Sequence, residues 1–360
     1  MTLRQTAGAK REYRNLSSRW GTLVLGLAAA GALWTAAHAA EAGSVAGLRK
    51  TLTIEESHSG DASPHLLPLL DRLAGAQFDD GALADAADSR KRALKIVVRS
   101  YGRDSVNAAD AMIALASVEL LRHRYSRAEP LLIAAVPALE TRFGTDSPAL
   151  AGPLAGLARI ALARGDVPAA ENWAKRATAI ADRRPTLTTS EPLRALGAVY
   201  AAEQRFDEGE KVLRTAVARD RQRDGADSPE TARSLAQLAN LLLRAQHFTE
   251  ALSLIEQAIV IDQDRLGANH PLIADDFTDL GLIYAGLGRN DDAGTALYYA
   301  IDLLTNGSSE ESTRLAYAEL DLVPVLRRLG QADDAEAAFK DAKQILDHAA
   351  EEERQREREI

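Results

Sequence analysis

The chain has 360 residues, a formal net charge of −9 and no cysteine. Disulfides, thiolate catalysis and Cys-ligated metals are therefore excluded, and with no long basic block in the body nucleic-acid binding has no support. The chain is 46% hydrophobic but only 5% aromatic, with Ala and Leu dominating, a mixture that favours helix.

The first segment reads as a targeting sequence. Arg4, Lys10, Arg11, Arg14 and Arg19 make a basic start, followed by an apolar stretch from Gly21 to Ala37 and the small-x-small triplet Ala37-His38-Ala39. This is the pattern of a signal peptide over residues 1–39, cleaved after Ala39, which predicts a periplasmic or secreted protein with no membrane contact after cleavage. The alternative is an inner-membrane anchor, since the apolar stretch lies at the lower edge of bilayer-spanning length. Residues 40–56 lack a clear period and are expected to form a linker or an incomplete first helix.

From residue 57 to 348 the sequence repeats. Leu73, Leu115, Leu157, Leu196, Leu238, Leu280 and Leu322 are spaced by 42 residues, except for one step of 39. A small residue follows in the same phase: Ala86, Ala128, Ala170, Gly209, Ala251, Ala293 and Ala335. A second follows again: Ala93, Ala135, Ala177, Ala216, Ala258, Ala300 and Ala342. Self-similarity at one period is the signature of a stacked-repeat architecture.

Each unit reads as two helices. The first opens at Ser63-Pro64, Ser147-Pro148, Ser228-Pro229 or His270-Pro271; Ser is a good N-cap and Pro suits the first helical position, having no N–H to satisfy. An apolar stripe such as Leu235, Leu238, Ala239 and Leu242 follows at helical spacing. After a short polar turn comes the second helix, often closed by glycine: Gly102, Gly144, Gly225 and Gly267. One hairpin cannot bury its own face, so neighbours must stack, and the small residues allow close approach. Some features depart from the pattern. Arg90 stands at an otherwise apolar position, Pro130 and Pro137 fall in the second helix of repeat two, where Pro137 should kink it, and Pro324 falls in the first helix of repeat seven. The segment Asp182 to Ser190 carries the short step, and a tolerated deletion and a functional joint are equal readings of it. Residues 349–360 form a charged C-terminal tail, read as the solvated end of the last helix or as a docking helix.

No catalytic constellation emerges. The seven histidines include no His-Glu-x-x-His, and there is no phosphate-binding glycine loop or nucleophile elbow. No cofactor or metal is expected, and the chain reads as non-catalytic.

The phrases Leu266-Gly267-Ala268-Asn269-His270-Pro271 and Gln204-Arg205-Phe206-Asp207-Glu208-Gly209-Glu210 resemble the inter-repeat loop and intra-repeat turn of tetratricopeptide repeats, in the longer kinesin-light-chain variety. The resemblance implies an all-α, right-handed superhelical solenoid of about seven helix-turn-helix repeats that serves as a protein–protein interaction scaffold. It implies a concave groove lined by first helices. In that groove Asp71, Asp79 and Asp110 would form an acidic end. Arg159, Arg194, Arg233, Asn240 and Arg244 would form a partner-binding stretch for another protein or an acidic peptide, held through bidentate guanidinium contacts.

Overall fold

The computed structural model describes residues 43–305 and 312–358. The segment read as a signal peptide or anchor lies outside the described residues. The chain divides into two units, 1–47 and 48–360, and the repeats belong to the second. Among the described residues there are fifteen α-helices and no strand, and none of these helices is long and apolar enough to cross a membrane.

Helix α1 (Val45–Ser59) occupies the stretch expected as a linker or an incomplete first helix, with Leu48 and Leu52 buried. Seven hairpins follow. They pair α2 (Leu67–Asp79) with α3 (Leu83–Tyr101), α4 (Val106–Leu121) with α5 (Tyr125–Phe143), and α6 (Ala151–Ala163) with α7 (Val167–Arg183). Next come α8 (Glu191–Ala202) with α9 (Phe206–Asp224), and α10 (Pro229–Arg244) with α11 (Phe248–Leu266). The last are α12 (Ala274–Gly286) with α13 (Asn290–Thr305), and α14 (Ser312–Arg328) with α15 (Ala332–Arg358).

The helix starts follow from the residues that open them. Ser63, Ser147 and Ser228 accept hydrogen bonds from the backbone N–H of His65, Ala149 and Thr231, relieving orphan donors of the first turn. His270 does the same through its ring, Nδ1 accepting from Leu272 N at 3.2 Å. The hairpin turn needs one left-handed residue per repeat. That position runs in phase through Gly81, His123, Gly165, Gln204, Gln246, Gly288 and Gly330, all at positive φ.

The repeat register is the core. The seven phased leucines are between 2% and 8% exposed. Six of the seven alanines that close the second-helix stripe are completely buried, while Ala93, in repeat one, is half-buried. Successive first helices from α6 to α14 touch one another, whereas second helices pack onto first helices. First helices therefore crowd onto one side and form the inner wall. Arg90, out of pattern by sequence, reaches across its hairpin to Asp71.

The prolines do not break their helices. Helix α5 continues through Pro130 and Pro137, against the kink expected at Pro137. The carbonyl that loses its donor there belongs to Ile133, which is exposed, so water can satisfy it. Helix α14 likewise continues through Pro324. The short step between repeats three and four is stitched. The Thr188 hydroxyl donates to Arg184 O at 3.2 Å, and Arg223 Nη1 donates to Thr188 O at 2.7 Å. One apolar cluster runs across it from Val97 to Tyr200. The last helix extends through the charged C-terminal stretch to Arg358.

Candidate interaction site

The inner wall carries most of the buried charge, and its two halves differ. Over repeats three to five the arginines singled out by sequence stand close together, each beside an acid. Arg159 meets Glu191 at 3.2 Å, Arg194 meets Glu191 at 2.7 Å, and Arg233 meets Glu230 at 3.0 Å. Burial opposes ionisation of Glu191, but Arg194 and Arg159 overcome it and hold its pKa at about 2. Arg194 is not presented to a partner: it is 6% exposed, and its other terminal nitrogen lies 3.2 Å from both Asp220 and Ser234. Asp220 is fully buried. The Ser234 hydroxyl donates to it at 2.6 Å, and Arg223 stands 3.7 Å away. A buried charge persists only when so paired. Arg233 and Arg159 remain partly accessible, Arg244 is exposed, and Asn240 donates to both oxygens of Asp279, at 2.9 and 3.0 Å.

One repeat further on, the same position in the fold carries different chemistry. Asp262 occupies the phase of Asp220, Asp276 that of Ser234, and Ala236 that of Arg194. The guanidinium is gone and the hydroxyl has become a second carboxyl. Asp262 and Asp276 act on each other's ionisation, since two neighbouring buried carboxyls do not both carry charge cheaply. Burial pushes Asp262 up to about 6, with Arg233 as the opposing cation. Burial, then Asp262, Asp279 and Asp275, drive Asp276 well above the usual carboxylate range. Asp279, on the next turn of α12, is raised by burial to about 7 despite Asn240. The place is not sealed, since Ala236 and Asp262 are only half-buried. On the neighbouring first helix, Glu319 is raised by burial to about 7. Asp275 behaves oppositely: Arg314, at 2.9 Å, and His123 hold its carboxyl below the usual range against burial.

The coil also returns onto itself. His270, between repeats five and six, lies against the end of α2, with Nε2 2.8 Å from Phe78 O and the Phe78 and His270 rings 5.8 Å apart. Gly81 sits so close to Pro271 that a Cβ there would fall 2.7 Å from its Cδ. In repeat two, His123 Nε2 stands 3.4 Å from Asp275. Of the acidic end expected from sequence, Asp71 is held by Arg90, while Asp79 and Asp110 are exposed, Asp79 near His270. Sequence reading missed Asp262, Asp276 and Asp279. Aligning the 42-residue phases would have found the first two, because an acid then faces an acid where its counterpart faces Ser and Arg.

Comparisons with known proteins agree with this architecture. The family model described as "Tetratricopeptide repeat" matches residues 188–264. No curated protein matches the sequence. Among solved structures, a Rap protein complexed with Competence and Sporulation Factor is 11% identical, with 96% of this chain and 94% of that chain covered and a TM-score of 0.60. Aspartyl phosphate phosphatase F from Bacillus subtilis is 12% identical over 78% of this chain and 70% of its own, with a TM-score of 0.53. BtubC from P. vanneervenii is 20% identical over 68% and 92%, with a TM-score of 0.49. Residues 188–264 match the tetratricopeptide repeat itself, the same hairpin recurs in phase before and after them, and the chain folds as a tetratricopeptide-type repeat solenoid.

Proposed function

We propose that this chain is a non-catalytic adaptor that binds a peptide, or an exposed segment of a protein partner, along the inner wall of its first helices, with a basic side chain of the partner seated at Asp262, Asp276 and Asp279. The observation that carries this reading is the contrast between adjacent repeats. At repeats four and five an internal guanidinium pairs directly with the buried acid; at repeats five and six Ala236 stands in its place, Arg233 is left as the opposing cation, and the position opens to solvent. An incoming Lys or Arg would supply the missing charge where desolvation makes it count. A basic partner fits the wall better than the acidic one suggested by the arginines, because Arg159, Arg194 and Arg233 already face Glu191, Asp220 and Glu230. The Rap protein complexed with Competence and Sporulation Factor supports the reading only as a similar fold found with a partner.

The test is fluorescence anisotropy with short labelled peptides in which alanine alternates with lysine, glutamate or serine. The lysine peptide should bind most tightly and weaken with added salt. Preference for the glutamate peptide, or equal binding of all, overturns the assignment of charge.

The place of action is also a proposal. The basic start, apolar stretch and Ala37-His38-Ala39 triplet support export to the bacterial cell envelope with cleavage after Ala39. Retention of the apolar stretch as an anchor is the second reading. A mature chain beginning at Ala40 supports the first; an intact N-terminus in the membrane fraction supports the second.

A further inference from the structure

We propose that the contact between the first and sixth repeats is a clasp that opens on acidification, because its hydrogen bonds require a neutral His270.

Leu272 N–H donates to His270 Nδ1 at 3.2 Å, so Nδ1 carries no proton. Nε2 lies 2.8 Å from Phe78 O; an oxygen can only accept, so Nε2 carries the proton and donates. This is one tautomer of the uncharged ring. One bond caps the 3₁₀ turn Pro271–Ile273 that leads into α12. The other spans 192 residues of sequence to the end of α2. A second proton must go to Nδ1, where it removes the acceptor and faces Leu272 N–H with a donor. The ring is 4% exposed, so the new charge would also be buried.

The surrounding groups do not rescue that charge. Burial is the largest influence and pushes the His270 pKa below its ordinary value. The Phe78 carbonyl and the exposed carboxylate of Asp79 pull it up, and Arg314 pushes it down. Arg314 is fixed nearby, its Nη2 donating to Pro271 O at 3.1 Å and pairing with Asp275 at 2.9 Å. His123 opposes the mechanism, because its contact with Asp275 at 3.4 Å gains strength when His123 is protonated. Asp275 is already paired with Arg314 at 2.9 Å, so a charge on the partly exposed His123 adds to a carboxylate that has its cation. A buried ring that loses its cap on protonation outweighs it. Gly81 makes the clasp possible, since it combines a φ of 74° with the close approach of Pro271.

The sign is then fixed. A histidine whose pKa is depressed in the closed form stabilises that form above its ordinary value, near 6.5. The stabilisation is lost as pH falls from there through the closed-form value. Within that window the open-to-closed ratio rises by up to about tenfold per pH unit, the limit for one proton. Opening draws repeats one and two away from α12, where Asp275, Asp276 and Asp279 lie. That acid thereby releases a bound basic partner rests on the proposed function; the opening itself does not.

The natural absence of cysteine allows a direct test. Spin labels on Asp104→Cys and Asn269→Cys, both exposed, report the separation of the two ends by electron–electron double resonance without any ligand. The distance should be constant above neutrality and acquire a longer population as pH falls below about 6.5, with helicity by circular dichroism unchanged. His270→Asn keeps a carboxamide acceptor for the cap but does not titrate, and should abolish the response. A distance that does not change with pH, or the same response in His270→Asn, overturns the clasp. Failure of the lysine peptide to bind would overturn the proposed function and leave the clasp standing.

Discussion

Two neighbouring repeat junctions occupy the same register of the solenoid and solve the same problem differently. Between repeats four and five the buried carboxylate of Asp220 is met by the Ser234 hydroxyl and the Arg194 guanidinium. Between repeats five and six Asp262 meets Asp276, and Ala236 stands where the arginine was. The first is a closed structural cluster. The second is an acid pair with half-open space beside it. In a repeat protein, a residue departing from its own phase in the next repeat marks where the fold leaves an interaction unmade.

The largest effect is expected at the Arg194–Asp220 junction. Arg194→Ala leaves Asp220 buried without its guanidinium and should cost about 3–5 kcal/mol, the range for stranding one partner of a buried pair; urea unfolding followed by circular dichroism measures it. The corresponding removal at the open member should have the opposite sign. Asp262 has a raised pKa, so the folded state holds a proton that the unfolded state releases from about pH 4 upward. Stability should therefore fall as pH rises from about 4 through about 6. Asp262→Asn removes that penalty and should gain on the order of 1–2 kcal/mol at about pH 8, discounted for partial exposure, and nothing at about pH 4. Thermal melts at both pH values check the sign. Asn240→Ala withdraws the donors from Asp279 and should cost about 1–2 kcal/mol, the loss shrinking under acid, where Asp279 is neutral. The smallest effect lies outside the two junctions and sharpens the notion of phase. Gln246 holds a left-handed conformation, φ 62°, where other repeats place glycine, and Gln246→Gly should stabilise by up to about 1 kcal/mol.

The fold was legible because its information is periodic. Phased leucines and alanines define the hairpins, and Ser-Pro openings define their starts, each through physics local to a turn or a neighbouring helix. The left-handed turn position was less visible because only four of its seven occupants are glycine. His123, Gln204 and Gln246 show no sign of it in their own chemistry. The arginine stretch was legible as a cluster but not as a buried one. Nothing local tells that Arg194 turns toward Asp220, 26 residues on, rather than toward a ligand. The clasp was beyond sequence reading altogether. His270 looked like a helix-starting residue, which it is, but its other nitrogen finds Phe78 only because several repeats of curvature bring the two together.

The central claim is that the junction of repeats five and six is an unfilled counterpart of the one before it, kept for a partner's cation. Transplanting the internal solution tests it most directly. In the double variant Ala236→Arg with Asp276→Ser, the chain supplies its own guanidinium and hydroxyl to Asp262. Anisotropy titration of the lysine–alanine peptide should then show binding weakened by at least about tenfold, a loss of about 1.4 kcal/mol or more, while the melting temperature rises. Unchanged peptide affinity in a folded double variant would contradict the account.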